Sequence, residues 1–376
     1  MPAFAPIIEK IREEESYSTK AAVLNILVDL FQGKKAKLTS EDKQELSDFA
    51  FGEVRHLIDL LPTVTSYKEK DAIFGYEDML LTLVMLCHKS PAEIPEEHLA
   101  SIRTLIDLVD RERFLENAID GIFKEGRNDE TAVRQLLSMV IPLKDEFQKG
   151  QIYQGLLHYQ AETQRLPEAS KQLFADYIAS EIKRYLSSAS DEAIANNLEF
   201  ACDVARYFMN DTLISLLYDV LKLEKNNISY YAVASLLDAH RSVPQEIISA
   251  LAHDLVHAEL TYLLLKKHGL LSMFPEDLNA PEYLAKSNLV HWLIYPTELG
   301  KEPDRIEFLG KVKKKEVYYV FRFTSDSDNL GEDLKEKWLI GWSSEEGGTF
   351  SNFDLYEAFE QKTPEKTLKA IKKRLL

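Results

Sequence analysis

The residues that most resemble a catalytic or metal-binding motif lie in the stretch HDLVHAELTYLLLKKH, at positions 253–268. His253 and His257 are four residues apart, and the acidic Asp254 follows the first histidine directly. On one continuous helix, two histidines at this spacing share a face and can bind one metal ion together. In zinc proteases the H-E-x-x-H motif adds a glutamate as the general base. The stretch therefore suggests, as one alternative, a metal-dependent hydrolase that uses His253 and His257.

Two features of the same stretch argue against a metal site. Asp254 is one methylene shorter than the glutamate of the protease motif, which moves its carboxylate away from a metal-bound water. His268 is the next candidate ligand, but on a continuous helix the eleven residues after His257 place it about 16 Å away. Apolar residues flank the polar ones on two sides of the helical wheel, which is typical of a helix packed on both flanks. We therefore predict no metal and no cofactor, and we interpret His253, Asp254 and His257 as a polar face that could contact a partner.

No other part of the sequence carries a catalytic pattern. There is no G-x-x-x-x-G-K-[ST] loop, no G-x-G-x-x-G fingerprint, no G-x-S-x-G elbow and no C-x-x-C pair. The two cysteines, Cys87 and Cys202, lie in apolar helical runs and are expected to be buried free thiols. We therefore expect a protein that is not an enzyme and has no catalytic residues.

The charge balance describes an acidic globular protein. The chain of 376 residues has 45 lysines and arginines against 62 acidic residues, a net charge of −17. Such a surface repels phosphate backbones, which argues against nucleic-acid binding, although a nucleic-acid-associated helical-repeat protein remains an alternative. The same charge favours a basic protein partner, unless the acidic surface is merely solvated. The oligomeric state stays open.

Cysteine usage and hydropathy bear on the location of the protein. Two cysteines are too few for a disulfide framework, and this favours a reducing compartment. The first residues show no signal-peptide pattern, and the most apolar segment, at 79–87, is too short to span a bilayer. We therefore expect a cytoplasmic protein that does not insert into a membrane.

The elements that must position these residues are mostly helices. From residue 3 to about residue 286, apolar residues recur at intervals of three and four, and residues that stop helices separate the periodic segments. The clearest segments are 21–31, 51–61, 131–141, 172–186 and 211–223. Many short helices in a row, apolar on more than one side, predict a mainly α protein with an α-solenoid of the HEAT/armadillo (ARM) kind over 1–288. A single large helical bundle is the alternative.

After residue 288 the period of the apolar residues changes. Alternating runs rich in β-branched and aromatic residues predict strands at 289–296, 304–312, 316–324 and 337–343. The segments 353–360 and 364–376 are predicted to be helices. We therefore predict a small α+β domain over 289–376, with an antiparallel sheet of three or four strands.

The tryptophans of this C-terminal region complete the set of interaction candidates. Trp338 and Trp342 are four apart on one predicted strand, so their side chains should lie on the same face. Trp292 is placed on the first predicted strand. With His253, Asp254 and His257, these three residues are the candidates for contact with a partner.

The run from 275 to 308 resembles a junction of bacterial HEAT-like repeat proteins, in which a tail with the pattern W-L-x-Y-P-T-E-L-G-x-x-P-D-x-I-E follows the helices. The matching residues are Trp292, Tyr295, Pro296, Glu298, Leu299, Gly300, Pro303, Asp304 and Glu307. The resemblance implies a HEAT-like helical array, a C-terminal appendage and an interaction role. It covers a minor part of the chain and implies no catalytic residues.

These observations favour a non-catalytic protein–protein interaction module. An extended face of helical repeats would recognise the partner, and acidic side chains would steer a basic protein towards it. A concrete version is a bacterial immunity-type protein that binds and blocks a basic toxin. That version rests on charge and architecture alone.

Overall fold

The computed structural model of the chain describes residues 4–32, 38–88, 94–109, 113–123, 128–188, 192–313, 316–352, 357–358, 366, 369–370 and 373. This part of the chain is mainly helical and carries one small antiparallel sheet. The chain divides into two compact units, Met1–Leu216 and Leu217–Leu376, and the division falls within a helix. We call these the first unit and the second unit.

The first unit is helical, and helices occur at each of the segments that the sequence predicts there. Their bounds are α1 Ala5–Glu13, α2 Tyr17–Gln32, α3 Ser40–Leu60, α4 Tyr67–Cys87, α5 Glu96–Ile106, α6 Arg113–Phe123, α7 Glu130–Val140, α8 Glu146–His158, α9 Gln160–Thr163, α10 Glu168–Leu186 and α11 Glu192–Ala205. Helix α12, Asp211–Leu221, spans the division between the units. Within the described residues, none of the helices is long and apolar enough to cross a membrane.

Local capping explains where two of the helices begin. The Thr39 hydroxyl accepts a hydrogen bond from the Asp42 amide at 3.1 Å, and the Asp42 carboxylate accepts one from the Thr39 amide at 2.9 Å. This reciprocal capping box starts α3. The Asn210 side chain accepts from the Leu213 amide at 2.9 Å and caps α12 in the same way.

Many helices of the first unit pack on their second neighbours along the chain, when the one-turn helix α9 is left out of the count. In one series α3 contacts α5, α5 contacts α7 and α7 contacts α10. In the other series α2 contacts α4, α4 contacts α6, α6 contacts α8 and α8 contacts α11. Helices of one series also contact helices of the other, as α3 does with α4 and α10 with α11. A helix within these series, such as α4, therefore packs against neighbours on more than one side, as the sequence predicts.

The second unit combines helices with the sheet. After α12 come α13 Asn226–Asp238, α14 Gln245–His253, α15 Ala258–Lys267 and α16 Pro281–Leu293. The strands are β1 Arg305–Lys313, β2 Val317–Thr324, β3 Leu339–Glu346, β4 Thr349–Asn352 and β5 Glu357–Ala358. The order in the sheet is β1-β2-β3-β4, all pairs are antiparallel, and β5 also pairs with β3.

Helix α16 packs on one face of this sheet and is close to its central strand. Leu289 of α16 lies above Gly341 of β3, where an added Cβ would stand 3.1 Å from the Leu289 side chain. The glycine therefore permits a close approach between helix and strand. The β3–β4 turn needs glycine for another reason: Gly347 and Gly348 have φ of 65° and 79°, as a type I′ hairpin turn requires.

Three of the four predicted strands are confirmed and one is wrong. The segments 304–312 and 316–324 form β1 and β2, and the segment 337–343 overlaps β3, which begins at Leu339. The segment 289–296 is instead mostly the end of α16, so Trp292 lies on a helix. A short apolar run is ambiguous between strand and helix, and here Pro281 at the first turn starts a helix that continues through the run.

The predicted domain boundary between 288 and 289 lies inside α16, and α16 packs against β3 in the second unit. The predicted helix at 353–360 is wrong at Glu357–Ala358, which form β5, because pairing with β3 overrides the local helical pattern. The remainder of that segment and most of the predicted helix at 364–376 lie outside the described residues.

Candidate functional site

His253 and His257 do not lie on one helix. Helix α14 ends at His253, α15 begins at Ala258, and Asp254 between them has an extended backbone with ψ of 114°. The prediction of one continuous helix through this stretch is therefore wrong. The cause is the Asp254 side chain, whose Oδ1 accepts a hydrogen bond from the Val256 amide at 3.0 Å. Aspartate competes with helical hydrogen bonding in this way and favours helix starts.

Asp254 holds the turn between α14 and α15 together. Its Oδ2 accepts hydrogen bonds from Nδ1 of His257 at 3.0 Å and from the Asn226 amide group of α13 at 2.8 Å. Burial alone would raise the pKa of Asp254, but the hydrogen bonds from His257, Val256 and Asn226 outweigh it and lower the pKa below its ordinary value. Asp254 is thus a charged cap that ties α13 to the start of α15.

The histidines of this stretch lie in different surroundings. His257 is buried beside Tyr230, with ring centroids 5.7 Å apart, whereas His253 is exposed and its Nδ1 lies 2.7 Å from the Ser249 carbonyl oxygen. His268 lies 3.2 Å from a carboxylate oxygen of Asp238. Across the described ranges, no group of three His, Cys, Asp or Glu side chains could hold a metal ion. The Asp254–His257 pair is therefore arranged as a structural turn.

Sequence reasoning missed a further histidine next to this turn. His291 of α16 is half-buried, and burial lowers its pKa, with a smaller contribution in the same direction from nearby His257. A hydrogen bond with the Val256 backbone opposes that shift. The ring of His291 also meets the ring of Tyr295 edge to face, with centroids 5.6 Å apart. No sequence signal joins His291 to His257, because their proximity depends on how α16 packs on α15.

A buried carboxyl group links α15, α16 and the sheet. Glu259 is only 3% exposed, and its backbone amide donates to the Ser287 hydroxyl at 2.8 Å. Its carboxyl group is hydrogen-bonded to Asn288, whose Oδ1 accepts from the Ser343 hydroxyl of β3 at 2.8 Å. Burial raises the pKa of Glu259 to about 7, and the Asn288 hydrogen bond only partly opposes this. In the described part of the chain, Oε1 of Glu259 has no hydrogen-bond partner.

The tryptophans predicted to face a partner take part in packing. Trp338 precedes β3, so the prediction that it shares a strand with Trp342 is wrong, and the Arg322 guanidinium lies 4.4 Å from its ring centroid. This contact is a cation–π interaction. Trp342 is on β3 and packs against the cluster of Val312, Val320 and Ile340. Trp292 is half-buried on α16.

The segment that resembles the HEAT-like junction serves to connect α16 with the sheet. The Leu299 amide donates to the Leu293 carbonyl at 2.9 Å, and Gly300 has φ of 70°, which glycine adopts without strain. Asn329 donates to the carbonyl oxygens of Pro296 and Glu298, both at 2.8 Å. All three bonds end on backbone carbonyl oxygens of residues 293–298, so the contacts within this segment stabilise the turn that follows α16.

A cavity of about 230 Å³ lies in the first unit, between the start of α10 and residues 207–210. Its lining includes Glu168, Lys171, Tyr207 and Phe208. The cavity is smaller than typical ligand sites of about 300–1,000 Å³. A small cavity lined by charges of both signs supports no specific ligand.

Three exposed apolar side chains lie on two adjoining turns of the first unit. They are Leu108 after α5, Ile141 after α7 and Phe147 in the first turn of α8, with exposed fractions of 37%, 54% and 59%. We call these three residues the turn surface. Sequence reasoning did not single them out, although the signal is present in the stretch VIPLKDEF at 140–147, where a turn carries large apolar residues in place of polar ones.

Comparisons with known proteins found no match to a protein-family model, to a curated protein or to a solved structure. The resemblance to HEAT-like repeat proteins therefore stays a prediction from the sequence.

Proposed function

We propose that this chain is a non-catalytic protein-binding module whose helical part is an α-solenoid of the HEAT/armadillo kind and whose partner is a basic protein. The observation that carries the proposal is the packing of the first unit, in which α3, α5, α7 and α10 form one series and α2, α4, α6, α8 and α11 the other. Packing between second neighbours is the arrangement of helical-repeat proteins, which use their extended surfaces to bind other proteins.

The charge of the chain supports a basic partner. A net charge of −17 attracts basic surfaces and raises the rate of encounter at low ionic strength. A cytoplasmic location is part of this proposal and follows from the cysteine usage of the sequence. The immunity-type version remains a narrower form of the proposal, since charge and architecture fit it without selecting it.

The alternatives have less support. A metal-dependent hydrolase built on His253 and His257 needs both histidines to face one ion, and one of them is exposed while the other is buried against Asp254. A nucleic-acid-associated repeat protein needs a basic groove, which the acidic excess of the chain opposes. Neither alternative is favoured by an observation in the described residues.

The proposal is tested by capture of a partner from lysate of the source organism. The full-length protein is immobilised, washed at low and then at moderate salt, and compared with an unrelated immobilised protein of similar net charge. We expect one basic protein to be retained in stoichiometric amount and released as salt screens the attraction. Retention of nothing beyond what the control protein binds would contradict the proposal.

A further inference from the structure

We propose that the turn surface of Leu108, Ile141 and Phe147 is where the basic partner docks, and that the docking element is an amphipathic helix with lysine or arginine beside its apolar face. The inference rests on the proposed function and assigns it a location and a kind of ligand. It concerns only the first unit.

The exposure of these side chains distinguishes the turn surface from ordinary surface. Single exposed apolar residues are common in folded proteins and need no explanation. Here Leu108 and Ile141 lie on the turns that follow α5 and α7, at positions where polar residues are usual, and Phe147 lies in the first turn of α8. Apolar side chains clustered on a rigid surface are typical of sites where another protein binds.

Hydrogen bonds hold the two turns against each other. A carboxylate oxygen of Asp107 accepts from the amides of Lys144 and Asp145 at 3.0 and 3.4 Å. The buried Gln148 side chain donates to the Val109 carbonyl at 3.1 Å. Because these bonds fix the turns in the unbound protein, little conformational entropy remains to be lost when a partner binds.

The charges around the turn surface favour a basic partner. Asp107, Asp145 and Glu146 stand beside it, and among the described residues of the two turns Lys144 is the basic one. Glu146 is paired with Arg184 at 2.8 Å and with Lys149 at 3.9 Å, and Arg184 also pairs with Glu181 at 2.6 Å. Asp107 and Asp145 against Lys144 then leave an excess of one negative charge on the two turns. An apolar centre with an acidic border complements a helix that carries apolar residues flanked by lysine or arginine.

The same features disfavour a second copy of this chain as the occupant. In a two-fold contact the turn surface would face itself, and Asp107 and Asp145 of one copy would lie near the same residues of the other. Like charges at a contact weaken it. A peptide that binds by adding a strand is disfavoured as well, because it needs an exposed strand edge, and the turn surface lies at the ends of helices.

The test measures binding of a synthetic amphipathic helical peptide of leucine and lysine to the full-length protein. A peptide with glutamate in place of lysine controls for charge. The test variant carries Leu108→Ser, Ile141→Ser and Phe147→Ser, and the matched control carries Ile26→Ser, Leu30→Ser and Tyr295→Ser. The control residues are also exposed apolar side chains, two of them on α2 and one shortly after α16. Circular dichroism and thermal unfolding confirm that both variants fold.

We expect the lysine peptide to bind the wild-type protein, the glutamate peptide not to bind, and the test variant to bind at least about tenfold more weakly. Hydrogen-exchange protection should appear at 105–109 and 141–148. The inference is overturned if the wild-type protein does not bind the lysine peptide, if the control variant loses as much affinity as the test variant, or if protection appears elsewhere. Self-association of the wild-type protein that the test variant lacks would assign the surface to a second copy and overturn it too.

Failure of this inference is distinct from failure of the proposed function. A partner captured from lysate that binds the test variant as tightly as the wild-type protein would keep the proposed function and reject the turn surface. Capture of no partner would reject the proposed function itself.

Discussion

Oδ2 of Asp254 lies 3.0 Å from Nδ1 of His257, and this pair closes the turn at which α14 ends and α15 begins. The motif that suggests a metal-binding helix therefore forms a capped turn between two helices in the structure. The carboxylate that would have been a general base receives hydrogen bonds from His257, Val256 and Asn226 instead. The Asp254–His257 pair should therefore stabilise the folded protein, and its removal should lower the free energy of unfolding.

Replacement of Asp254 should destabilise the protein at neutral pH. Asp254→Ala removes the acceptor for Val256, His257 and Asn226, and we expect a loss of about 1–2 kcal/mol in the free energy of unfolding. The pKa of Asp254 is lowered in the folded protein. Its contribution is therefore present above the unfolded pKa and is lost as pH falls through the folded pKa. Urea unfolding at neutral and acidic pH measures both effects, with exposed Asp277→Ala as the control. An equal loss for both variants would contradict this role.

Glu259 should give the second unit a stability that declines as pH rises. Its pKa in the folded protein is about 7, above the ordinary 4.5, so the unfolded chain releases the proton first. The stability that this group contributes is full at acidic pH and falls between about pH 4.5 and pH 7.

Glu259→Gln removes this titration while retaining a group that can bond to Asn288. We expect the variant and the wild-type protein to have similar free energies of unfolding in acid. Above pH 7 we expect the free energy of unfolding of the variant to be higher by up to about 3 kcal/mol. Urea unfolding of the wild-type protein, this variant and the exposed control Glu246→Gln at several pH values checks the effect. If the difference in the free energy of unfolding between wild type and variant does not change with pH, burial does not raise the pKa of Glu259.

The close approach of α16 to β3 should make Gly341 intolerant of a side chain. A Cβ at this position would stand 3.1 Å from Leu289 and 3.2 Å from Phe323. We expect Gly341→Ala to cost about 1–3 kcal/mol through overpacking. Gly75 lies within α4 with nothing within 4 Å of an added Cβ, so Gly75→Ala should be neutral or stabilising by up to about 1 kcal/mol. Thermal unfolding of the two variants compares them, and tolerance of Gly341→Ala would show that the helix is not held so near the strand.

Replacement of His257 and replacement of His253 should have different effects on the stability of the protein. His257→Ala should lower stability, because the side chain is buried against Asp254 and Tyr230, whereas exposed His253→Ala should not. Both variants should retain as little zinc as the wild-type protein after dialysis, measured by elemental analysis. One zinc ion per wild-type chain, lost in both variants together with a hydrolytic activity, would support the metal-dependent hydrolase instead.

The parts of the fold that depend on local sequence were predictable. Apolar periodicity located the helices of the first unit, and alternation located β1, β2 and β3. These features depend on residues close together in the chain, where propensity and pattern act directly.

The errors arise where tertiary contacts decide between two local possibilities. The break at Asp254 depends on Asn226, which lies 28 residues earlier, and the pKa of Glu259 depends on burial next to Asn288 and α16. The apolar run around Trp292 fits a strand as well as a helix, and the structure has a helix, α16, that packs on the sheet. The turn surface was missed because the positions of helix ends relative to one another cannot be derived from the sequence of each end alone.

The most direct test of the account is capture from lysate with the full-length protein and with the Leu108→Ser, Ile141→Ser, Phe147→Ser variant side by side. The account predicts that the wild-type protein retains one basic partner, that moderate salt releases it, and that the variant retains little of it. If the wild-type protein retains no partner beyond what an unrelated acidic protein retains, the chain is not the binding module proposed for it.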